Sequence, residues 1–146
     1  MEENCVFCRI IRREIPSVDL YQDDLVLCFL DIAPVSKGHA LIIPRQHHVS
    51  LTTVPADYLG RMMEVAPRIA AALMRAVDGD GFNLLLANGA CAGQVVPHAH
   101  LHVIPRRNSD PFALLPDRHD QYEDDREKEQ IANMVRKKLA DSREWE

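Results

Sequence analysis

Apolar runs bounded by turn residues predict three strands in the first third of the chain. Residues 18–22 and 25–32 are rich in apolar side chains and meet at the acidic turn around Asp23. A third apolar run, residues 40–43, ends at Pro44. We interpret all three as strands of a mostly antiparallel sheet.

One long helix is predicted in the middle of the chain. Pro55 and Asp57 favour a helix start. Pro67 lies inside the pattern and is expected to kink the helix. The acidic and glycine residues at 78–81 should end it. The apolar residues that recur at helical spacing, with the methionines expected to fill the core, are Leu59, Met62, Met63, Ala66, Ile69, Ala70, Leu73 and Val77.

Two more strands are predicted after the helix, over residues 83–86 and 97–106. The second contains His98, His100 and His102, which lie at i, i+2 and i+4 and therefore point to the same face of a strand. The opposite face, toward the core, would carry Ala99, Leu101 and Val103.

The amino-acid composition of the chain changes after these strands. Residues 107–146 are strongly charged, and within them one helical face carries Ile131, Met134, Val135 and Leu139. The order of elements predicts an α+β fold, in which one long helix packs on a mostly antiparallel sheet and a helical C-terminal tail follows. We expect a single domain over residues 1–146, with a core at about 5–106.

The histidine row needs a partner. Three polar rings in succession are tolerated only where water, a metal or a ligand satisfies their nitrogens. The preceding segment, residues 88–94, is small and glycine-rich, and such a loop brings backbone N–H groups close to an anion. Imidazoles beside exposed amides indicate phosphate chemistry.

Composition narrows the possible partners. The chain has 146 residues, of which 47% are hydrophobic, and this suffices for one core. Its net charge of -5 argues against nucleic-acid binding. No apolar run approaches the ~20 residues of a membrane span, and the N-terminus lacks the pattern of a signal peptide. We therefore expect a cytoplasmic protein whose four cysteines are reduced.

The spacing of Cys5 and Cys8 suits a metal ion, but a redox dithiol or two ordinary core thiols fit it comparably well. Zinc would need two further ligands, and the candidates are His39, His47, His48, His98 and His119. Cys28 lies in an apolar strand and is expected in the core, whereas Cys91 lies in the glycine-rich loop and is given no role.

The segment 98–104, His-x-His-x-His followed by apolar residues, resembles the motif of the histidine triad (HIT) family. Residues 29–34, 38–47 and 88–94 are also similar to stretches of that family, so the resemblance covers roughly residues 5–106. It implies a homodimeric α+β protein that binds purine nucleotides and cleaves at the α-phosphorus. Dinucleoside polyphosphates, nucleoside phosphoramidates and other adenylated compounds all remain possible substrates, and phosphate could replace water.

The resemblance also implies residue roles. His100 would be the nucleophile, His102 would contact phosphate and assist proton transfer, and His39 would be a further active-site histidine. The nucleotide would be bound by Asp31 at the ribose and Ile32 at the base, and on the phosphate side by Asn88, Gly93 and Gln94. A structural zinc would have Cys5, Cys8, His47 and His98 as ligands.

Two departures and two alternatives accompany this interpretation. Val95 stands where many members of the family have serine or threonine, so a hydroxyl donor to phosphate is missing, while the backbone N–H of Val95 remains to bind the nucleotide. This favours, slightly, a nucleotide-binding regulatory module with little turnover. Pro97 has no N–H for a strand ladder, so we expect the last strand to start there or to have an unpaired edge. A metalloenzyme with the three histidines as ligands is disfavoured, because i, i+2 and i+4 span too far on a strand.

Overall fold

The computed structural model describes residues 2–111 and 120–141. Within these residues the chain forms three α-helices and five strands: α1 (Val6–Ile11), β1 (Asp19–Gln22), β2 (Val26–Leu30), β3 (Ala40–Pro44), α2 (Ala56–Val77), β4 (Gly81–Leu85), β5 (Leu101–Arg106) and α3 (Asp125–Asp141). The strands form one antiparallel sheet in the order β1-β2-β3-β5-β4. The predicted α+β class is confirmed, and the first four predicted strands lie within two residues of their observed bounds. Helix α1 was not predicted.

Both faces of the sheet are covered at its centre, which explains why β2 and β3 are buried at every position. One face carries Cys28, Ile42 and Val103 against α2. The other carries Phe29 and Leu41 against α1. Strands covered on both faces have continuous apolar sequences because no side chain reaches water. The sheet thus separates a large core from a smaller one, and the histidine side chains lie on the side of the smaller core.

Helix α2 continues through Pro67 and ends at Val77. Asp78 follows in the left-handed conformation, with φ at 52°, and the Gly79 N–H donates to the Met74 carbonyl at 2.9 Å. The predicted helix and its end are therefore confirmed. Met62 is buried as expected, but the expectation for Met63 is wrong, because its side chain is 55% exposed on the outer face of the helix.

The last strand is shorter than the sequence pattern predicted. It begins at Leu101, so His98 and His100 precede it. Pro97 cannot donate a ladder hydrogen bond, and the N–H of His98 turns back to the Val96 carbonyl at 2.8 Å. Strand pairing with β3 starts where Leu101 faces Ile42 and continues with His102 opposite Leu41.

The predicted row of rings nevertheless exists. The rings of His100 and His102 lie 4.8 Å apart between centroids, and Phe7 meets both His98 and His100 edge-on. Leu101 lies in the core beneath α2, on the opposite face. The alternation of sides therefore extends beyond the hydrogen-bonded strand.

Helix α3 confirms the helical tail and packs against α2 and β1. Ile131, Val135 and Leu139 are buried in the main core. Met134 was expected on the same face but is 49% exposed, because it lies at the margin of that face. No helix among the described residues is long and apolar enough to cross a membrane.

The packing of α3 predicts a contrast between two neighbouring residues. Val135→Ala removes a fully buried side chain and should lower the free energy of unfolding by about 2 kcal/mol. Met134→Ala on the exposed side should change it by less than about 0.5 kcal/mol. Urea denaturation of both variants measures the difference. Equal effects would contradict the packing of this helix on the core.

Candidate active site and metal centre

A cavity of about 240 Å³ opens on the face of the sheet that carries the histidines. Helix α1 forms one wall, the residues just after β2 form a second, and Gly93, Val95 and Val96 form a third. Of the residues predicted to act on a substrate, the structure brings these to the cavity lining: Asp31, Ile32, Gly93, Val95, His100 and His102. The apolar wall supplied by α1, with Val6, Phe7 and Ile10, was missed because α1 itself was not predicted.

His100 is held by a backbone carbonyl. Its Nδ1 lies 2.7 Å from the carbonyl oxygen of His98, which can only accept a hydrogen bond. Nδ1 therefore carries the proton of the neutral ring, and Nε2 carries the lone pair. The ring is 5% exposed and Phe7 supports its edge at 5.2 Å. A buried, oriented imidazole with an unprotonated nitrogen on a cavity is suited to nucleophilic attack.

His39 and His102 form a relay of defined proton positions. The Val35 N–H donates to Nδ1 of His39 at 3.0 Å, so the proton of the neutral His39 ring is on Nε2. Nε2 of His39 lies 2.8 Å from Nδ1 of His102 and donates to it. The proton of His102 is then on its own Nε2. His39, which is 1% exposed, thus lies behind His102 and outside the cavity lining.

Asp31 adds a negative charge to this relay. Its Oδ2 is 3.7 Å from Nε2 of His39, and its side chain is 8% exposed. The Ala33 N–H donates to its Oδ1 at 2.9 Å, and its own N–H donates to the His39 carbonyl at 2.8 Å. Ile32, the next residue, is 85% exposed at the cavity. The end of β2 therefore provides one buried charge and one exposed apolar side chain.

The glycine-rich loop is more self-contained than expected. The N–H groups of Ala92, Gly93 and Gln94 donate to carbonyls of Gly89 and Ala90 within the loop. These amides do not point outward as an anion site, contrary to the sequence-based expectation. The loop closes on itself because Gly89 and Gly93 adopt positive φ angles of 91° and 97°.

Asn88 and Gln94 shape this loop. The Leu51 N–H donates to Oδ1 of Asn88 at 2.7 Å. Oε1 of Gln94 accepts the Gly89 N–H at 2.8 Å, and its Nε2 donates to the Val49 carbonyl at 2.7 Å. Neither side chain lines the cavity, whereas Val95 does and is 83% exposed. The two amides therefore position Val95 and its neighbours.

A second group of side chains could hold a metal ion: Cys5, Cys8, His47 and His98. Nδ1 of His98 lies 3.5 Å and 3.6 Å from the two sulfurs and 3.3 Å from Nδ1 of His47. Tetrahedral sites with bonds of about 2.0 to 2.3 Å place their ligand atoms roughly 3.3 to 3.8 Å apart. The four donors fit that geometry. His48 does not join them, since its Nε2 contacts Gln46.

The surroundings keep His98 in its metal-binding form. Burial lowers the pKa of His98 to about 4, so its ring is neutral near pH 7. Nε2 donates to the Pro44 carbonyl at 2.9 Å, which leaves the lone pair on Nδ1, facing the cysteines. Burial also raises the pKa of the Cys8 thiol. Bringing a cation to this pocket would favour the thiolate instead.

The three triad histidines do not converge on one ion. His98 faces the cysteines, whereas His100 and His102 face the cavity. Asp31, His39 and His102 form another cluster of donor atoms, but the 2.8 Å between its two imidazole nitrogens is a hydrogen-bond distance. Cys28 is buried in the core as expected, and Cys91 is exposed. His119 lies outside the described residues.

Comparison with known proteins identifies a family for most of the chain. The HIT domain family model matches residues 12–109. An adenylylsulfatase from Arabidopsis thaliana is 43% identical over 140 residues, or 95% of this chain and 71% of that protein. An adenosine 5'-monophosphoramidase from Saccharomyces cerevisiae is 42% identical over 108 residues, or 74% of this chain and 66% of that protein.

A solved structure extends the similarity to the whole chain. The zinc-bound histidine triad family protein from Mycobacterium smegmatis superimposes with a TM-score of 0.84 at 36% identity and covers 98% of both chains. Sequence and fold therefore agree, and the chain belongs to the histidine triad family.

Proposed function

We propose that the protein is a hydrolase or nucleotidyltransferase that cleaves purine nucleotide conjugates at the α-phosphorus through a nucleotidyl-histidine intermediate. The observation that carries the proposal is the hydrogen bond from Nδ1 of His100 to the His98 carbonyl, which leaves the lone pair on Nε2. The activities named for the relatives, adenylylsulfatase and adenosine 5'-monophosphoramidase, belong to the same chemical class.

The proposed reaction has two displacements. Nε2 of His100 attacks the α-phosphorus, the bond to the leaving group breaks, and the leaving atom, which accepts a hydrogen bond from the Nε2–H of His102, takes a proton from solvent. Water then attacks the phosphorus, the P–N bond breaks, and the water proton returns to solvent. His39 donates to Nδ1 of His102 throughout, which keeps the proton of His102 on Nε2, where it stabilises the charge that develops on the leaving atom.

Binding would use both ends of the cavity. We propose that Asp31 accepts hydrogen bonds from the ribose hydroxyls and that Ile32 packs on the base, because the two are adjacent and line the cavity. Gly93 and Val95 would contact the phosphate side. In this proposal Asn88 and Gln94 act by shaping the loop, since their side-chain amides already bond to backbone groups.

The charge of the cavity favours a leaving group with few negative charges. Of the described residues that line it, Asp31 is acidic and none is lysine or arginine. A dinucleoside polyphosphate would bring several more negative charges, which proteins usually meet with cationic side chains. We therefore favour nucleoside phosphoramidates and adenylyl sulfate over dinucleoside polyphosphates.

We propose zinc as the ion of the Cys5, Cys8, His47 and His98 group. Two thiolates and two neutral imidazoles cancel its charge, which suits a buried site. When bound, zinc would supply a crosslink between α1, the segment after β3 and the segment before β5. A structural role fits because all four positions are protein side chains and the cavity lies beside the group.

We propose a homodimer that uses the free side of β4. Strand β4 lies at the edge of the sheet and α2 does not fully cover it. The side chains of Phe82 and Leu84 are therefore 44% and 39% exposed. Leu84 pairs with Val103 and therefore points to the α2 side of the sheet. An open edge with apolar side chains is a surface that proteins usually cover.

The first experiment measures release of the nucleoside monophosphate. We expect a higher kcat/KM for adenosine 5'-phosphoramidate and adenylyl sulfate than for diadenosine tetraphosphate, because the cavity lacks cationic side chains. His100→Asn should lower kcat at least about a thousandfold while nucleotide affinity stays within a few-fold, since the nucleophile alone is lost.

The matched control is His48→Asn, a histidine that contacts Gln46 outside the cavity. It should keep wild-type turnover. Robust hydrolysis by His100→Asn would exclude His100 as the nucleophile. Tight AMP binding by the wild type without release from any conjugate would instead support the regulatory module that the exposed Val95 favours.

Metal analysis tests the zinc proposal. Protein purified without chelators should contain about one zinc per chain. Cys8→Ser should lose most of the metal and lower Tm, whereas Cys91→Ser, at an exposed cysteine, should change neither. Wild-type protein without zinc would return the cysteine pair to the redox or core interpretation.

Light scattering in solution tests the dimer. The mass should be about twice 16.5 kDa, and Leu84→Lys should shift it toward the monomer by placing a charge in the apolar contact. Met134→Lys makes the same kind of change on the exposed face of α3 and should leave the dimer intact. A monomeric wild type would contradict this arrangement.

A further inference from the structure

Residues 35–38 connect the end of β2 with β3 and lead directly into His39. The Val35 N–H defines the protonation of His39, and the His39 N–H donates to the Ser36 carbonyl at 3.0 Å. The position of this 35–38 loop therefore decides whether Nε2 of His39 reaches His102. Contacts that fix the position of this loop therefore also fix the hydrogen bond between His39 and His102.

The core side of the loop is tightly packed. Gly38 has a φ of 91°, and a Cβ placed there would lie 3.1 Å from Val77 and 3.3 Å from Pro105. The Ser36 hydroxyl donates to the Pro105 carbonyl at 2.5 Å. Because Pro105 belongs to β5, this contact relates the loop to the strand that carries His102.

The outer side of the loop is held by the chain's C-terminal part. The Lys37 N–H donates to Oδ2 of Asp120 at 3.0 Å, and the Gly38 N–H donates to the hydroxyl of Tyr122 at 3.2 Å. Nζ of Lys37 lies 2.7 Å from Oε1 of Glu127, near the start of α3. Two successive backbone amides and one side chain are thus tied to residues 120–127.

The Tyr122 hydroxyl is a permanent hydrogen-bonding group. Burial, with added repulsion from the carboxylates of Asp31 and Asp120, raises the pKa of Tyr122 to about 12. It therefore stays uncharged at physiological pH. Its ring packs on the main core, and α3 anchors that segment through Ile131 and Val135. The 120–127 segment is consequently fixed from one side and bonded to the loop on the other.

We propose that the 120–127 segment is a positioning element for catalysis, in which Tyr122 aligns His39 with His102 through the amide of Gly38. This inference rests on the proposed function. The segment lies beyond residues 12–109, where the family match ends. Tyr122 touches neither the cavity nor the three histidines by hydrogen bonding, so it acts through the loop.

The central test is Tyr122→Phe, which keeps the ring and removes the acceptor of the Gly38 N–H. We expect kcat for adenosine 5'-phosphoramidate to fall about three- to tenfold, the range that corresponds to one hydrogen bond. KM should stay within twofold, because residues that contact the nucleotide are unchanged. In His39→Gln protein the same substitution should have no further effect on kcat.

The matched control is Tyr21→Phe. The Tyr21 hydroxyl bonds to Asp23 and Arg61 between β1 and α2, so this variant removes a similar buried contact away from the loop. It should lower Tm by a similar amount and leave kcat unchanged. A wild-type kcat in Tyr122→Phe, or a loss that multiplies with that of His39→Gln, would overturn the positioning role.

A measurement independent of turnover separates this inference from the proposed function. Amide hydrogen exchange at Lys37 and Gly38 should accelerate in Tyr122→Phe but not in Tyr21→Phe, and the imidazole 15N signals of His39 should change in parallel. Unchanged exchange and signals would overturn the inference even in an active enzyme. Absence of hydrolysis by the wild type would count against the proposed function and leave this measurement valid.

Glu127→Gln provides a second variant if Tyr122→Phe fails to fold. It retains an acceptor but removes the charge that attracts Lys37. It should accelerate exchange at Lys37 and lower kcat up to about threefold, as expected for a partly exposed ion pair. Wild-type exchange rates at Lys37 in this variant would contradict the role of the 120–127 segment.

Discussion

The hydrogen bond between Nδ1 of His100 and the carbonyl of His98 is the contact on which the proposed chemistry depends. A neutral imidazole has one proton and one lone pair, and the hydrogen bond to this carbonyl places the proton on Nδ1 and the lone pair on Nε2. The peptide of His98 must therefore be held rigidly. The imidazole ring of His98 supplies that rigidity, because Nε2 donates to the Pro44 carbonyl and Nδ1 contacts the sulfurs of Cys5 and Cys8.

One face of the sheet carries the main hydrophobic core, and the other carries the candidate site. The face beneath α2 and α3 buries large aliphatic side chains and stabilises the fold. The opposite face is covered by the short helix α1, with Ile15 and Val96 beside it, and a cavity lined by His100 and His102 opens there. Side chains alternate between the two faces along β5, so Leu101 and Val103 point into the core while His102 points to the cavity.

Much of this arrangement could be predicted from the sequence. Period-two spacing placed the histidine rings on one side, and the apolar periodicity of α2 gave its bounds within two residues. The prediction failed where tertiary contacts outweigh local pattern. Pro97 and the bonds of His98 delay β5 until Leu101, and α1 is too short for a clear helical period. The contacts of residues 120–127 depend on Lys37 and Gly38, which are distant in sequence, and no local pattern records them.

Helix α1 belongs to two sites at once. Cys5 caps it and Cys8 lies within it, while Val6 and Ile10 face the cavity. A six-residue helix has little intrinsic stability, so its order comes from whatever it touches. An ion on the cysteines and a nucleotide in the cavity would each order the same short segment. By thermodynamic reciprocity, each ligand would then strengthen the binding of the other, with α1 as the shared element that transmits the effect.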